Sequence, residues 1–169
     1  MIIFNAREPI RGYDSGEIFF IPGRETGVFK QTLLKETVPV YQLEIERAEC
    51  RFDSVDEIAA HLKALIEANG TARFIAIFDH YAHTRSLPQG QVAKHIRGAL
   101  NVIFCFGLTL PEPVQLANRP RSIGVCEIDD RFIISFMEAP MPVANAVIED
   151  WAMSLYVAPN ELETQANIA

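Results

Sequence analysis

The stretch Phe78-Asp79-His80-Tyr81-Ala82-His83-Thr84-Arg85 gathers the residue types with the most chemistry in this chain. An imidazole changes charge near neutral pH, and its neutral nitrogens ligate metals. Asp79 beside His80 is the pairing that orients an imidazole for general acid or base work, and His80 with His83 offers two ligands to a metal ion. Three readings stand side by side: metal binding by His80 and His83, proton transfer or ligand binding by His80 oriented by Asp79, and a structural, hydrogen-bonded Asp79-His80 pair. Residues three apart on a strand point to opposite faces, so both imidazoles reach one metal only where the chain bends after Asp79 into a turn or helix. His83 and Arg85 are expected on the loop that follows.

A second set is basic. Arg119 and Arg121, in a chain of net charge -7, have the fork geometry that clamps a carboxylate or phosphate. The ordinary alternative is an ion pair of Arg121 with Glu138 on the neighbouring strand. The three cysteines, Cys50, Cys105 and Cys126, have no Cys-x-x-Cys spacing, and reduced, buried thiols are the plain reading. Phe104, Phe106, Phe132, Phe136 and Trp151 would line an apolar pocket or, more simply, fill a core.

These residues must be positioned by regular elements. Tyr41 to Cys50 alternates apolar and polar, the period of a strand with one wet face. Val55, Ile58, Ala59, Leu62, Leu65 and Ile66 recur at helical spacing, bounded by a Ser54/Glu57 capping pattern and by Asn69-Gly70, which suits a left-handed stop. His61 in that helix reads as a surface or boundary residue. Four apolar runs follow, at 73–78, 100–106, 121–128 and 132–137, all read as strands. The first two are apolar at nearly every position, as in central strands covered on both faces. Asp129-Asp130 predicts a tight turn pairing the last two.

Of the connections, 86–98 is expected to carry a short helix from Gln91 to Arg97, and Pro111 to Pro120 another helical turn. Pro140 and Pro142 introduce a last helix, with Val143, Val147, Ile148, Trp151 and Leu155 on its apolar side. Residues 1–40, broken by Pro9, Gly12, Gly16, Pro22, Gly23 and Gly27 around Ile18-Phe19-Phe20-Ile21, read as an arm or extra hairpin packed on the same domain; 41–158 form the α+β domain, and 159–169 a polar tail. In this order the strand ends sort the candidates. His80 and His83 fall loosely with Asn101, Glu127 and Asp129, while Arg73, Cys105, Arg121 and Glu138 gather at the other end. Cys105 is therefore out of reach of His80, against a Cys-His nucleophile pair.

Composition bounds the function classes. With 169 residues, 49% of them apolar, a single domain with a real core is expected. The acidic balance argues against nucleic acid, which needs a concentrated basic surface. No apolar run approaches the roughly 20 residues that cross a bilayer, and the N-terminus lacks a secretory pattern, so a cytoplasmic protein without a membrane partner is expected. No phosphate-cradling or dinucleotide glycine motif names a cofactor.

The element order β-α-β-β-β-β-α is similar to the TATA-binding-protein-like fold, a curved antiparallel sheet with helices on one face. Within it the chain resembles the bacterial domain-of-unknown-function family 302, through Asp79-His80 ending the strand after the first helix, Phe106-Gly107 ending the next, and an acidic hairpin leading to a strand that closes near Pro140. The resemblance covers about residues 41 to 145. It departs at Leu108-Thr109, where the family has Asn-Pro, and at Glu138-Ala139-Pro140, where it has Asn-Asp-Pro. It implies a fold and lends weight to Asp79-His80; it implies no reaction.

The leading expectation is an accessory protein that binds a small, anionic molecule between sheet and loops, with His80, His83, Arg85, Arg119, Arg121 and Glu138 as contacts. The alternatives are a small enzyme using His80, oriented by Asp79, as general acid or base, and a structural subunit of a homodimer paired through a sheet edge or helix face.

Overall fold

The computed structural model describes residues 18–19, 29–30, 39–107, 109–139 and 141–157. They fall in two units, Met1–Thr37 and Val38–Ala169. In the first, β1 (Ile18–Phe19) pairs antiparallel with β2 (Phe29–Lys30), Ile18 opposite Lys30. The rest of the expected N-terminal arm, Leu108, Pro140 and the polar tail lie outside the described residues.

The second unit is a mixed α+β structure built on one five-stranded antiparallel sheet. Its strands are β3 (Val40–Glu46), β4 (Ala72–Asp79), β5 (Ile96–Phe106), β6 (Arg121–Ile128) and β7 (Arg131–Met137), in the spatial order β3-β7-β6-β5-β4. Among the described residues, three α-helices accompany them: α1 (Val55–Ala68), α2 (His80–Ser86) and α3 (Pro142–Met153). Beyond β3 the chain makes a 3-10 turn, Arg47–Glu49, so the expected strand to Cys50 ends early, and Cys50 bridges Tyr156 instead.

α1 forms where its apolar stripe predicts. Ser54 Oγ accepts from the Glu57 N–H at 3.3 Å, which satisfies one orphan donor of the first turn, and the Glu57 carboxylate reaches back to accept from the Asp53 N–H, just before the cap, at 2.8 Å. The stop differs from expectation. Asn69 is extended (φ -82°, ψ 123°) and, among the described residues, Gly107 alone has a positive φ. Asn69 Oδ1 instead accepts from both the N–H and the hydroxyl of Thr71, a side-chain turn that leads the chain into β4 without a left-handed residue.

The core lies between one face of the sheet and α1 with α3. Ile58, Leu62 and Ile66 meet Val102, Phe104, Ile123, Val125, Phe132 and Ile134, all fully or almost fully buried. Trp151 from α3 stacks on Phe106 and meets Phe104 edge-on, so the aromatic set packs as core. On α3 the expected apolar side is corrected: Val143 is 77% exposed, and Ala144, Asn145, Ile148, Trp151 and Ala152 face inward. Leu155 is fully buried but lies beyond the helix end.

The expected two-sided cover of the first two apolar strands is also corrected. β4 is an edge strand, with Ile75, Ile77 and Phe78 exposed, and its register with β5 shifts between Phe74 and Ala76, a bulge at Ile75. Since Leu100, Val102 and Phe104 are buried toward the helices, Asn101, Ile103 and Cys105 stand on the opposite face. Finally, the helix expected over Gln91 to Arg97 is absent: α2 lies earlier, directly after Asp79, and β5 already begins at Ile96.

Candidate functional site

The sequence-predicted residues separate into two places on the sheet. At one, β4 runs straight into α2, because Asp79 serves as its N-cap: Oδ1 accepts the Ala82 N–H at 2.7 Å. This corrects the expected orientation of His80 by Asp79, since no hydrogen bond joins the two among the described residues. The bend after Asp79 does occur, and at i, i+3 on a helix His80 and His83 share a side. Their ring centroids are 6.2 Å apart, and both rings pack on Phe78, at 5.5 and 5.2 Å. Among the described residues no group of three or more His, Cys, Asp and Glu side chains is placed to hold a metal ion. Arg85 lies over the Tyr81 ring and donates to its hydroxyl at 3.1 Å.

Asp79 stands opposite Leu100, and Phe78 opposite Asn101, as the sorting of strand ends implies for Asn101. Glu127 and Asp129 are engaged elsewhere. Arg47 pairs with Glu127 while lying over the Phe132 ring, and Arg97 donates to Asp129 at 2.5 and 2.9 Å.

The second place lies at the other end of β4, where Arg73 stands opposite Cys105 and Phe104 opposite Arg121. At about 3.3 Å per residue, Arg73 is roughly 20 Å from Asp79, so Cys105 and His80 do not meet. Arg121 Nη1 donates to the main-chain carbonyl of Glu138 at 2.9 Å, in place of the carboxylate pairing expected from the sequence. Burial holds its guanidinium below the ordinary arginine value, and the like charge of Arg119 pushes the same way, with Cys105 acting against both. Arg119 reaches back across the Gly107 backbone and donates to the Thr109 carbonyl at 3.0 Å. Gly107 has φ +145°, a region open to glycine alone.

Around Arg119 the connection between β5 and β6 borders an open, shallow cavity of about 440 Å³, lined by Ile75, Cys105, Gly107, Thr109, Leu110, Leu116, Arg119 and Pro120. In the 3-10 turn that carries Leu116, Gln115 Oε1 is buried without a hydrogen-bond partner. The cavity lining itself is mainly apolar, with one guanidinium. Sequence reasoning named Arg119 but missed Ile75, Gly107, Leu110 and Leu116. The signal for Gly107 was present, a glycine directly after a strand; the two leucines carried none, because only the folded connection brings them to β4.

The three thiols are free. Burial pushes Cys50 and Cys126 above the ordinary thiol value, whereas Cys105 opens onto the cavity. No helix among the described residues is long and apolar enough to cross a membrane.

Searches of the curated proteins and of the solved structures found no match to this chain. A family model does match, over residues 29–157, which take in the whole five-stranded sheet, all three helices and both candidate places. The chain belongs to DUF6858, a family of unknown function.

Proposed function

We propose that this protein is a binding or accessory protein for a small molecule that joins a carboxylate to a short apolar body, held in the cavity beside Arg119. The observation that carries this reading is the composition of the wall: a single guanidinium set among Ile75, Leu110, Leu116 and Pro120. A guanidinium takes a carboxylate through two parallel donors, and an apolar wall favours an apolar body. Arg121 stands behind, with its charge held by the Glu138 carbonyl. His80, His83 and Arg85, at the far end of β4, do not share this site. The finer kinship with the TATA-binding-protein-like fold and with domain-of-unknown-function family 302 belongs to the same proposal, supported by an antiparallel sheet with α1 and α3 on one face. A reducing, cytoplasmic setting is supported by the three free thiols.

The test is titration of the protein with hexanoate, followed by calorimetry or amide chemical shifts. Arg119→Gln is expected to weaken binding by about 10-fold to 100-fold, the worth of a charge-assisted hydrogen bond. His80→Ala is expected to leave it unchanged. Equal affinity in Arg119→Gln and wild type would overturn the reading, as would the absence of any response.

A further inference from the structure

Large apolar side chains gather, uncovered, beside β4. Ile75, Leu110 and Leu116, which share the lining of the open cavity at Arg119, are 51%, 52% and 58% exposed. Along β4 the outer face of the sheet continues through Ala76, opposite Ile103, to Phe78, opposite Asn101. Phe78 is exposed as well. At roughly 200 Å² for a whole large apolar residue, Ile75, Phe78, Leu110 and Leu116 together leave on the order of 400 Å² open, which is high for a surface with no partner. A standard interface covers about 800 Å² on each partner, somewhat more than half of it apolar. The patch therefore supplies close to the apolar share that a stable dimer needs.

Charge indicates what covers it. Arg73 lies two residues before Ile75 on β4, opposite Cys105, and Glu112 lies between Leu110 and Leu116 on the connection. Both are exposed, and neither side chain has a hydrogen bond or ion pair among the described residues. One unpaired cation and one unpaired anion thus flank the apolar patch. We infer that this patch is an interface between two copies of the chain related by a two-fold axis. In such an interface each contact occurs twice, so the surface carries its own complement: Arg73 faces Glu112 of the partner subunit, Glu112 faces the partner's Arg73, and the apolar side chains meet between them. The register shift at Ile75 interrupts the β4 ladder, so the copies join through side chains rather than as one continued sheet. The second copy also covers the open mouth of the cavity, which completes the ligand site proposed there; this completion rests on the carboxylate reading of the cavity, and the interface itself does not.

The experiment is sedimentation equilibrium of the full chain from about 1 to 100 µM, which brackets the weak end of interfaces of this size. A species of twice the 18.9 kDa chain mass is expected. Arg73→Glu and Glu112→Arg each set like charges against one another at both contacts, and each alone is expected to raise the dimer Kd by about 10-fold or more. Mixed in equal amounts, the two variants are expected to regain the dimer, because Glu at 73 of one chain then meets Arg at 112 of the other and the native Glu112 meets the native Arg73. Leu116→Glu, at an exposed position, is expected to give a folded monomer, with circular dichroism as the check on folding. A wild-type monomer throughout the range, single charge variants as dimeric as wild type, or a mixture no more dimeric than its components would each overturn the interface. The two proposals fail separately: a dimer that takes up no hexanoate sinks the ligand reading alone, and a monomer that binds hexanoate through Arg119 sinks the interface alone.

Discussion

The carboxylate of Asp79 accepts its hydrogen bond from the main-chain N–H of Ala82, 2.7 Å away, and the imidazole of His80 that follows it in sequence turns instead to the Phe78 ring. The two most suggestive neighbours in the chain thus serve different purposes. Asp79 sets the direction of the backbone, and His80 joins an exposed aromatic cluster.

If Asp79 is a cap, its replacement is a local stability change. Asp79→Ala is expected to destabilise α2 by about 1 kcal/mol, and Asp79→Ser to restore most of that. His80→Ala should stay within about 0.5 kcal/mol of wild type, as an exposed position does. Hydrogen exchange of the α2 amides reads the difference directly, and equal protection in Asp79→Ala and wild type would remove the capping role.

His61 supplies a pH dependence. Ser154 Oγ donates to the Trp151 carbonyl at 2.7 Å, so it accepts from His61 Nε2, 2.9 Å away, while the ring packs on Phe52. Burial lowers the His61 value, and the nearby Arg51 lowers it further. A histidine with a depressed folded value binds its proton more readily when unfolded. Its contribution is therefore complete above the ordinary value, about 6.5, and is lost as pH falls through the folded value. Between about pH 7 and pH 5 the Tm of wild type is expected to fall more than that of His61→Gln. Parallel curves would show that His61 carries no linkage.

Two glycines give opposite expectations. Gly107→Ala forces a side chain into φ +145° and brings its Cβ to 3.2 Å from Arg119 Nη1. A loss of about 1–3 kcal/mol is expected, together with weaker hexanoate binding. Gly70→Ala meets nothing within 4 Å and has no positive φ to strain, so it is expected to be neutral or to stabilise by up to about 1 kcal/mol. Chemical denaturation of both variants checks the pair.

Asn145 ties α3 to the end of the sheet. It is 7% exposed, and its Oδ1 accepts from the Ala139 N–H at 3.0 Å while Nδ2 donates to the Glu149 carboxylate. Asn145→Ala leaves a buried N–H without a partner, at a cost of about 1–3 kcal/mol. Glu149→Ala, at an exposed position, is expected to cost less. The denaturation midpoints of the two variants should fall in that order.

Much of the fold could be read from local signals. α1 announced itself by periodicity and a capping pattern, and Asp129-Asp130 marked the turn between β6 and β7. What escaped was settled by tertiary position. β4 reads as central because Phe74, Ile75, Ile77 and Phe78 are apolar on both sides, yet edge or centre depends on which strand arrives beside it. α2 hides in the sequence because Asp79 beside His80 reads as an Asp-His pair, although Asp is also a preferred helix N-cap. At the site, residue type pointed to Arg119. Its apolar walls come from β4 and from a connection whose path no local spacing encodes.

The bulge at Ile75 has a further consequence, for solubility. Phe74 to Phe78 is a run of uncharged, apolar residues on the outer strand of the sheet among the described residues, the kind of segment that recruits another strand and seeds aggregates. By setting two residues of β4 against one of β5, the register shift breaks the even spacing of donors and acceptors along the edge and increases its twist. A straight incoming strand then finds no continuous ladder to extend, and an edge too apolar to be protected by charge is protected by its shape.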